Sequence, residues 1–128
     1  AYSMLATLWA GATAVVQPRF SASRFWAVSL EERCTWTSLV PFVVKALLQQ
    51  DVPAHHYRLW GSAVCEPPYD SQFQVKTIGW WGMTETITHG IVGEVDQPNI
   101  PMSIGRAAPE YQIRIVEDDG TPTPVGGM

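Results

Sequence analysis

Short β-rich runs alternate with helical stretches over residues 1–78, and this alternation limits the folds available to the chain more than any other feature. Gly11 suits the left-handed cap that ends a first helix, and Pro41 suits the first turn of a later one. A helix between two strands carries the chain back, so that the strands run parallel. The predicted strands are 13–16, 34–40, 57–60 and 75–78, and the predicted helices are 2–10, 21–32, 42–50 and a short one within 66–73.

This order predicts an α/β fold with a mostly parallel sheet and flanking helices. In such sheets, ligands bind beyond the carboxyl ends of the strands. Ala63 and Trp81 both follow predicted strands, so we expect the loops that carry them to open at the same edge of the sheet. Gly90, Gly93 and Gly105 interrupt the stretch from 88 to 108 together with several prolines, which predicts an ordered loop there.

Composition excludes several classes of function. A net charge of −4 without a basic run argues against nucleic-acid binding. Cys34 and Cys65 lack zinc spacing and are interpreted as buried apolar side chains in a reducing, cytoplasmic setting, and His55 and His56 as surface residues. The apolar residues 1–16 are too few and too interrupted to span a membrane, which needs about twenty.

The stretch 79–86 concentrates residue types that suit a nucleotide site. An aromatic face such as that of Trp81 can stack on a purine, and Gly82 lets a ligand approach the backbone. Thr84 can bond a phosphate oxygen, and Glu85 offers hard oxygen ligands to Mg²⁺. The alternative is a plain strand end and turn, with both tryptophans in the core and a solvated Glu85.

This stretch, Gly-Trp-Trp-Gly-Met-Thr-Glu-Thr, resembles the aromatic-Gly-x-Thr-Glu signature of the adenylate-forming superfamily, which includes acyl-CoA synthetases. The Gly-Ser-Ala of 61–63 is similar to the family's adenine loop, and 103–106 and 111–116 to its Gly-Arg element and the next strand. The segment 119–126 is similar to the turn and Pro-Gly run that follow. Residues 20–26 and the Gly-Met-Thr-Glu-Thr run look most like carnitine- or crotonobetaine-CoA ligases.

The resemblance implies activation of a small carboxylic acid with ATP and Mg²⁺, followed by transfer of the acyl group to CoA. Thr84 and Glu85 would be catalytic, with Glu85 as the Mg²⁺ ligand, and Trp81 would stack on the adenine. His89 and Gly90 would shape the acyl pocket, although a loop histidine bonded to backbone is the alternative for His89. The implied nucleotide-binding residues are Gly61, Ser62, Ala63, Trp80, Trp81, Gly82, Met83 and Thr84.

The resemblance also implies a division into 1–108, a partial α/β adenylation subdomain, and 109–128, the beginning of a β-rich subdomain. The sequence contains no stretch similar to the family's Gly-rich phosphate loop or to its catalytic lysine segment. We therefore expect an internal fragment of the large N-terminal domain that is inactive alone, holds no cofactor tightly and self-associates through exposed apolar faces. The alternative is a self-standing, non-catalytic α/β binding or assembly module.

Overall fold

The computed structural model of the chain describes residues 2–124 and 126. Within these residues, helices and strands follow each other in the predicted order as far as Ile78, except that the predicted strand 13–16 is missing. The helices are α1 (Tyr2–Trp9), α2 (Ala22–Glu31), α3 (Pro41–Leu47) and α4 (Asp70–Phe73), with a 3₁₀ turn at Thr84–Thr86, and the strands are β1 (Trp36–Ser38), β2 (Leu59–Ser62), β3 (Lys76–Gly82), β4 (His89–Val92) and β5 (Arg106–Ala107).

The strands form one sheet in the order β1-β2-β3-β4-β5. The first two pairs are parallel and the last two antiparallel, so the predicted α/β fold with flanking helices is confirmed and the sheet is mixed. β4 and β5 lie in the stretch 88–108 that the sequence predicts as loop. β4 exists because the chain turns back after β3 and pairs Trp80 with Val92 and Trp81 with Ile91.

The main hydrophobic core lies between α2, α3 and one face of the sheet. Trp60 of β2 and Phe73 of α4 are fully buried, with ring centroids 4.9 Å apart. Trp26 of α2 and Val44 of α3 pack into the same cluster. Burying a large apolar side chain stabilises a fold by about 1.5–3 kcal/mol, so this cluster anchors β2 from one face of the sheet.

His55 is part of the support for this core, and its interpretation as a surface residue is wrong. Its Nδ1 accepts the backbone N–H of Tyr57 at 3.1 Å, so its Nε2 carries the proton and donates to the Phe73 carbonyl at 2.8 Å. The imidazole also stacks on Trp26, with centroids 5.5 Å apart. His56 is exposed, as expected.

Two predicted strands do not form. Residues 13–16 are exposed and make no regular element, although α1 does end before Gly11, which has a φ of +65°. Residues 111–116 make no regular element beyond a single bridge between Val116 and Pro122, and the chain turns at 117–120, where the Gly120 N–H donates to the Glu117 carbonyl at 2.9 Å. An extended segment becomes a strand only where a partner supplies the other half of its hydrogen bonds.

No helix among the described residues is long and apolar enough to cross a membrane.

Candidate functional site

The carboxyl ends of β2 and β3 lie side by side. The strands are parallel, with Gly61 opposite Ile78 and Ser62 opposite Gly79. The loop that begins at Ala63 and the stretch that begins at Trp80 therefore leave the sheet at the same edge. β3 continues to Gly82 and pairs there with β4, so this edge is closed on one side by an antiparallel hairpin.

Trp80 is the side chain that packs over Gly61. A Cβ on Gly61 would lie 3.5 Å from the Trp80 ring and 3.6 Å from the Trp36 ring. The centroids of Trp36 and Trp80 are 6.1 Å apart at 79°, and those of Trp80 and His89 are 3.9 Å apart at 62°. We call Trp36, Trp80 and His89 the aromatic cluster. It lies on the sheet face opposite the main core, because strand side chains alternate between faces.

Trp81 points to the other face of the sheet, the same face as Ser62. Its ring lies against β4, 3.4 Å from where a Cβ on Gly90 would stand, and it is 45% exposed. Ser62 is buried, whereas Ala63 is exposed at the loop that follows. Residues 61–63 therefore divide between the two tryptophans, and the aromatic side chain that contacts Gly61 is Trp80.

The turn between β3 and β4 carries Met83, Thr84 and Glu85, all of them exposed. The Thr86 hydroxyl accepts the Met83 backbone N–H at 3.0 Å and lies 2.7 Å from the Thr88 carbonyl oxygen. Tyr111 donates its phenolic proton to the Thr86 carbonyl at 2.7 Å, which fastens the turn to the following segment. The turn thus presents one hydroxyl and one carboxylate at the tip of a braced hairpin.

Gly82 and Gly79 allow backbone contacts that no other residue permits. A Cβ on Gly82 would lie 2.6 Å from the Thr88 carbonyl oxygen. One on Gly79 would lie 2.5 Å from the Ile104 carbonyl oxygen and 2.9 Å from the Cys65 amide nitrogen. Both glycines are required by close approach of backbone, which is one of the uses of glycine in strands.

The loop 93–105 packs beneath the site, and sequence reasoning did not predict its role. The Cys65 N–H donates to the Ser103 carbonyl at 2.7 Å, and the Met102 N–H donates to the Cys65 carbonyl at 2.8 Å. The Cys65 sulfur accepts the Gly79 N–H at 3.1 Å and is fully buried, as expected for this cysteine. The signal available in the sequence was the spaced glycines of this region, interpreted only as loop breakers.

Lys76, Glu66 and Asn99 fasten the same loop from the amino end of β3. The Lys76 ammonium donates to the carbonyls of Val95 at 2.9 Å and Gln97 at 2.6 Å, and it lies 3.7 Å from the Glu66 carboxylate. Glu66 accepts the Asn99 backbone N–H at 2.9 Å, and this bond is the main reason why the pKa of Glu66 is lowered.

Burial shifts the pKa of two titratable side chains near the site, Asp70 and His89. The Asp70 carboxylate accepts the Thr77 N–H at 2.8 Å and its hydroxyl proton at 2.5 Å, although burial still raises the pKa of Asp70. Burial lowers the pKa of His89, which favours a neutral imidazole. Among the described residues, no group of three or more His, Cys, Asp or Glu side chains could hold a metal ion.

Solved structures of other proteins have the same fold, a mixed sheet flanked by helices. Two of them are CoA ligases. A benzoate CoA ligase from Burkholderia xenovorans LB400 has a TM-score of 0.80 at 23% identity, covering 92% of this chain and 26% of that one. An anthranilate CoA ligase in complex with anthranoyl-AMP has a TM-score of 0.78 at 24% identity, covering 89% of this chain and 24% of that one.

The chain belongs to the AMP-binding enzyme family, whose sequence model matches residues 1–127. A crotonobetaine/carnitine–CoA ligase of Escherichia coli O6:K15:H31 is 34% identical over 135 residues, covering 97% of this chain and 26% of the relative. The same-named ligase of Salmonella paratyphi A is 33% identical, covering 91% of this chain and 24% of the relative. The chain therefore spans about a quarter of the length of these relatives.

Proposed function

We propose that this chain forms the adenine side of the nucleotide site in an AMP-forming acid–CoA ligase. The observation that carries the proposal is the register of β2 and β3, which brings 61–63 and 79–86 to one sheet edge. In such an enzyme a carboxylic acid attacks the α-phosphate of ATP, giving an acyl-adenylate and pyrophosphate, and CoA then takes the acyl group.

The adenine would lie between the loop 61–63 and the half-exposed ring of Trp81, with the backbone of Trp80, Gly82 and Met83 along its edge. Trp81 supports this role because its ring is accessible at the hairpin and fixed against Gly90. An aromatic ring held in this way stacks on a purine without first losing rotamer freedom, which reduces the entropic cost of binding. His89 and Gly90, at the start of β4, would border the acid.

Thr84 would donate its hydroxyl proton to an α-phosphate oxygen, and Glu85 would hold Mg²⁺. A single exposed carboxylate fits this ion, because Mg²⁺ at nucleotide sites is bound by one or two carboxylates together with phosphate oxygens and water. Bound Mg²⁺ would neutralise charge on the phosphates. Both side chains stand on a braced turn, so the protein supplies their position before the nucleotide arrives.

The acid in the proposed reaction belongs to the crotonobetaine and carnitine class for which the relatives are named. Both compounds are small carboxylic acids with a trimethylammonium group. We place the enzyme in the cytoplasm. We expect the 128 residues alone to bind MgATP weakly and not to catalyse pyrophosphate exchange. Loss of one preorganised contact typically costs about 10²–10³ in rate, and these residues include neither the phosphate loop nor the catalytic lysine.

The binding part of the proposal is tested by equilibrium dialysis of MgATP with the chain and three variants. Glu85→Gln keeps the shape of the side chain and removes a charged metal ligand, and Trp81→Leu removes the stacking face. Both should weaken binding, whereas Glu110→Gln, another exposed carboxylate, should not. Equal binding by all four proteins, or no binding at millimolar MgATP, would rule out a nucleotide site at this edge.

A further inference from the structure

The nucleotide, as placed above, uses the backbone of Trp80 but none of the side chains of the aromatic cluster, Trp36, Trp80 and His89. The cluster lies across three strands, β1, β3 and β4, and brings Trp36 of β1 beside two residues of the β3–β4 hairpin. Gly61 at its base brings the Trp36 and Trp80 rings against the backbone of β2. The three rings therefore form a surface of their own on the face of the sheet opposite Trp81.

The three rings meet at steep angles, so the surface forms a corner and has no pair of parallel walls. Trp36 meets Trp80 at 79°, and Trp80 meets His89 at 62°. Parallel walls would accept a flat aromatic ring between them, whereas nearly perpendicular walls surround a compact, rounded group. Trp36 is 37% exposed, and Trp80 and His89 are half-buried, so the corner is accessible.

The electrostatic potential of the ring faces favours binding of a cation. Indole rings present electron-rich faces, and tryptophan gives the strongest cation–π contacts among the aromatic residues. His89 adds a ring that burial keeps towards its neutral form. Lys76 is on the same sheet face but four residues from Trp80 along β3, about 13 Å away, and its ammonium is bonded to two loop carbonyls.

We propose that the aromatic cluster binds the quaternary ammonium group of the acid substrate through cation–π contacts with Trp36 and Trp80. The identification of the ligand as the acid substrate rests on the proposed function; the cation site itself rests on the geometry of the three rings. Trp36, Trp80 and His89 are then specificity-determining residues, because they distinguish a trimethylammonium acid from an aromatic or aliphatic one.

The first experiment uses the 128-residue chain with choline and with 3,3-dimethylbutan-1-ol, which has the same shape without the charge. Binding is followed by the NMR shifts of the ligand methyl protons. We expect choline to bind and the neutral alcohol to bind at least several-fold more weakly. Equal binding of the two compounds would show an apolar patch, and no binding of choline would also overturn the proposal.

Four substitutions locate the site. Trp36→Leu and Trp80→Leu should each weaken choline binding about two- to thirtyfold, the range that one cation–π contact supplies. Trp80→Phe should retain part of the affinity, and Trp9→Leu, at an exposed tryptophan of α1, should retain all of it. Trp36 is on an exposed edge strand, so its variant tests the idea even if Trp80→Leu unfolds. Unchanged binding in Trp36→Leu and Trp80→Phe alike, or tighter binding of benzoate than of choline, would contradict the assignment.

The dialysis with MgATP separates this inference from the proposed function. MgATP binding that depends on Glu85, together with absent choline binding, would overturn the cation site alone. Choline binding that depends on Trp36, together with absent MgATP binding, would leave the cation site in place and overturn the proposed function.

Discussion

At the scale of single residues, Ile87 holds a backbone conformation that β-branched side chains rarely adopt. Its φ is +63° and its ψ is −37°, directly after the turn that carries Thr84 and Glu85. The Thr88 N–H donates to the Thr86 carbonyl at 2.6 Å, so Ile87 is the central residue of a three-residue γ-turn in its strained form. Strain of this type is often found beside functional groups.

Ile87→Gly should therefore stabilise the chain. Relief of a positive φ is worth about 1–2 kcal/mol, and glycine costs about 0.5–1 kcal/mol in backbone entropy, so the free energy of unfolding should rise by about 0.5–1 kcal/mol. Little burial is lost, because Ile87 is 83% exposed. Urea unfolding gives the measurement.

Ile100→Gly is the matched control, since Ile100 is 72% exposed and has no positive φ. It should lower the free energy of unfolding by about 0.5–1 kcal/mol, the ordinary cost of glycine. If both variants change stability in the same direction, the strain at Ile87 is not significant.

The two tryptophans show what residue types alone could and could not predict. The sequence predicts aromatic side chains at the end of a strand beside a glycine loop, and the structure has them there. Which ring packs on Gly61 depends on the register between β2 and β3, because a shift of one residue exchanges the faces of Trp80 and Trp81. In that register Trp60, which is fully buried in the main core, lies opposite Thr77, upstream of the signature.

At the scale of elements, β1, β2 and β3 were predictable because each is a short β-rich run between helices and turns. β4 was not, since Gly90 and Gly93 resemble loop residues and the strand forms by pairing with β3 on one side and β5 on the other. Gly93 is needed by packing: a Cβ there would lie 2.6 Å from the Cys65 sulfur. A contact of this kind between distant segments leaves no local pattern in the sequence.

Gly79→Ala tests the close packing of the loop 93–105 against β3. The added Cβ would overlap backbone atoms of Ile104 and Cys65, which cannot move as a flexible side chain would. We expect a loss of about 1–3 kcal/mol in the free energy of unfolding, the usual cost of overpacking.

Gly61→Ala is the control for this variant, because its new Cβ would meet the nearest ring atoms at 3.5 Å, an ordinary contact. Its stability should stay within about 0.5 kcal/mol of the parent chain. Equal losses in urea unfolding would mean that strand glycines, and not the loop contact, determine the effect.

The attachment of this loop should depend on pH through Glu66. Its pKa is lowered chiefly by the backbone N–H of Asn99, then by the Asn99 side chain, with Lys76 contributing least. A folded-state pKa below the unfolded value gives stability that is present above the unfolded pKa, about 4.3, and is lost as pH falls through the folded value. We expect acid to loosen residues 94–99 before the core unfolds.

Hydrogen exchange of the backbone amides of this loop at several pH values gives the measurement. Glu66→Gln keeps an oxygen that can accept the Asn99 N–H, but it does not titrate, so the extra acid sensitivity should disappear. Because Asp70 and Asp119 titrate in both proteins, their contributions cancel in the comparison. Identical pH profiles for the loop in the two proteins would exclude Glu66 as the cause.

At the scale of the whole molecule, the chain exposes large apolar side chains on α1, on the segment after it and on α3. Trp9 is 94% exposed and Phe42 64% exposed, and Leu8 and Val16 are exposed with them. Surfaces of this kind are rare on monomers and favour association, and β1 adds a sheet edge without a further strand among the described residues. The same feature suits either an assembly module or a domain that packs on other parts of a larger ligase.

We therefore expect the chain to self-associate at micromolar concentration, with sedimentation velocity showing dimers or larger species. Trp9→Ser combined with Phe42→Ser should shift the distribution towards monomer, because both changes remove exposed apolar area from α1 and α3. Ile115→Ser, at an equally exposed position in the C-terminal segment, is the control and should leave the distribution unchanged. A monomer at all concentrations would show that these exposed apolar side chains do not cause association. An effect of the control equal to that of the double variant would mean that association is nonspecific, because any exposed apolar residue would then contribute alike.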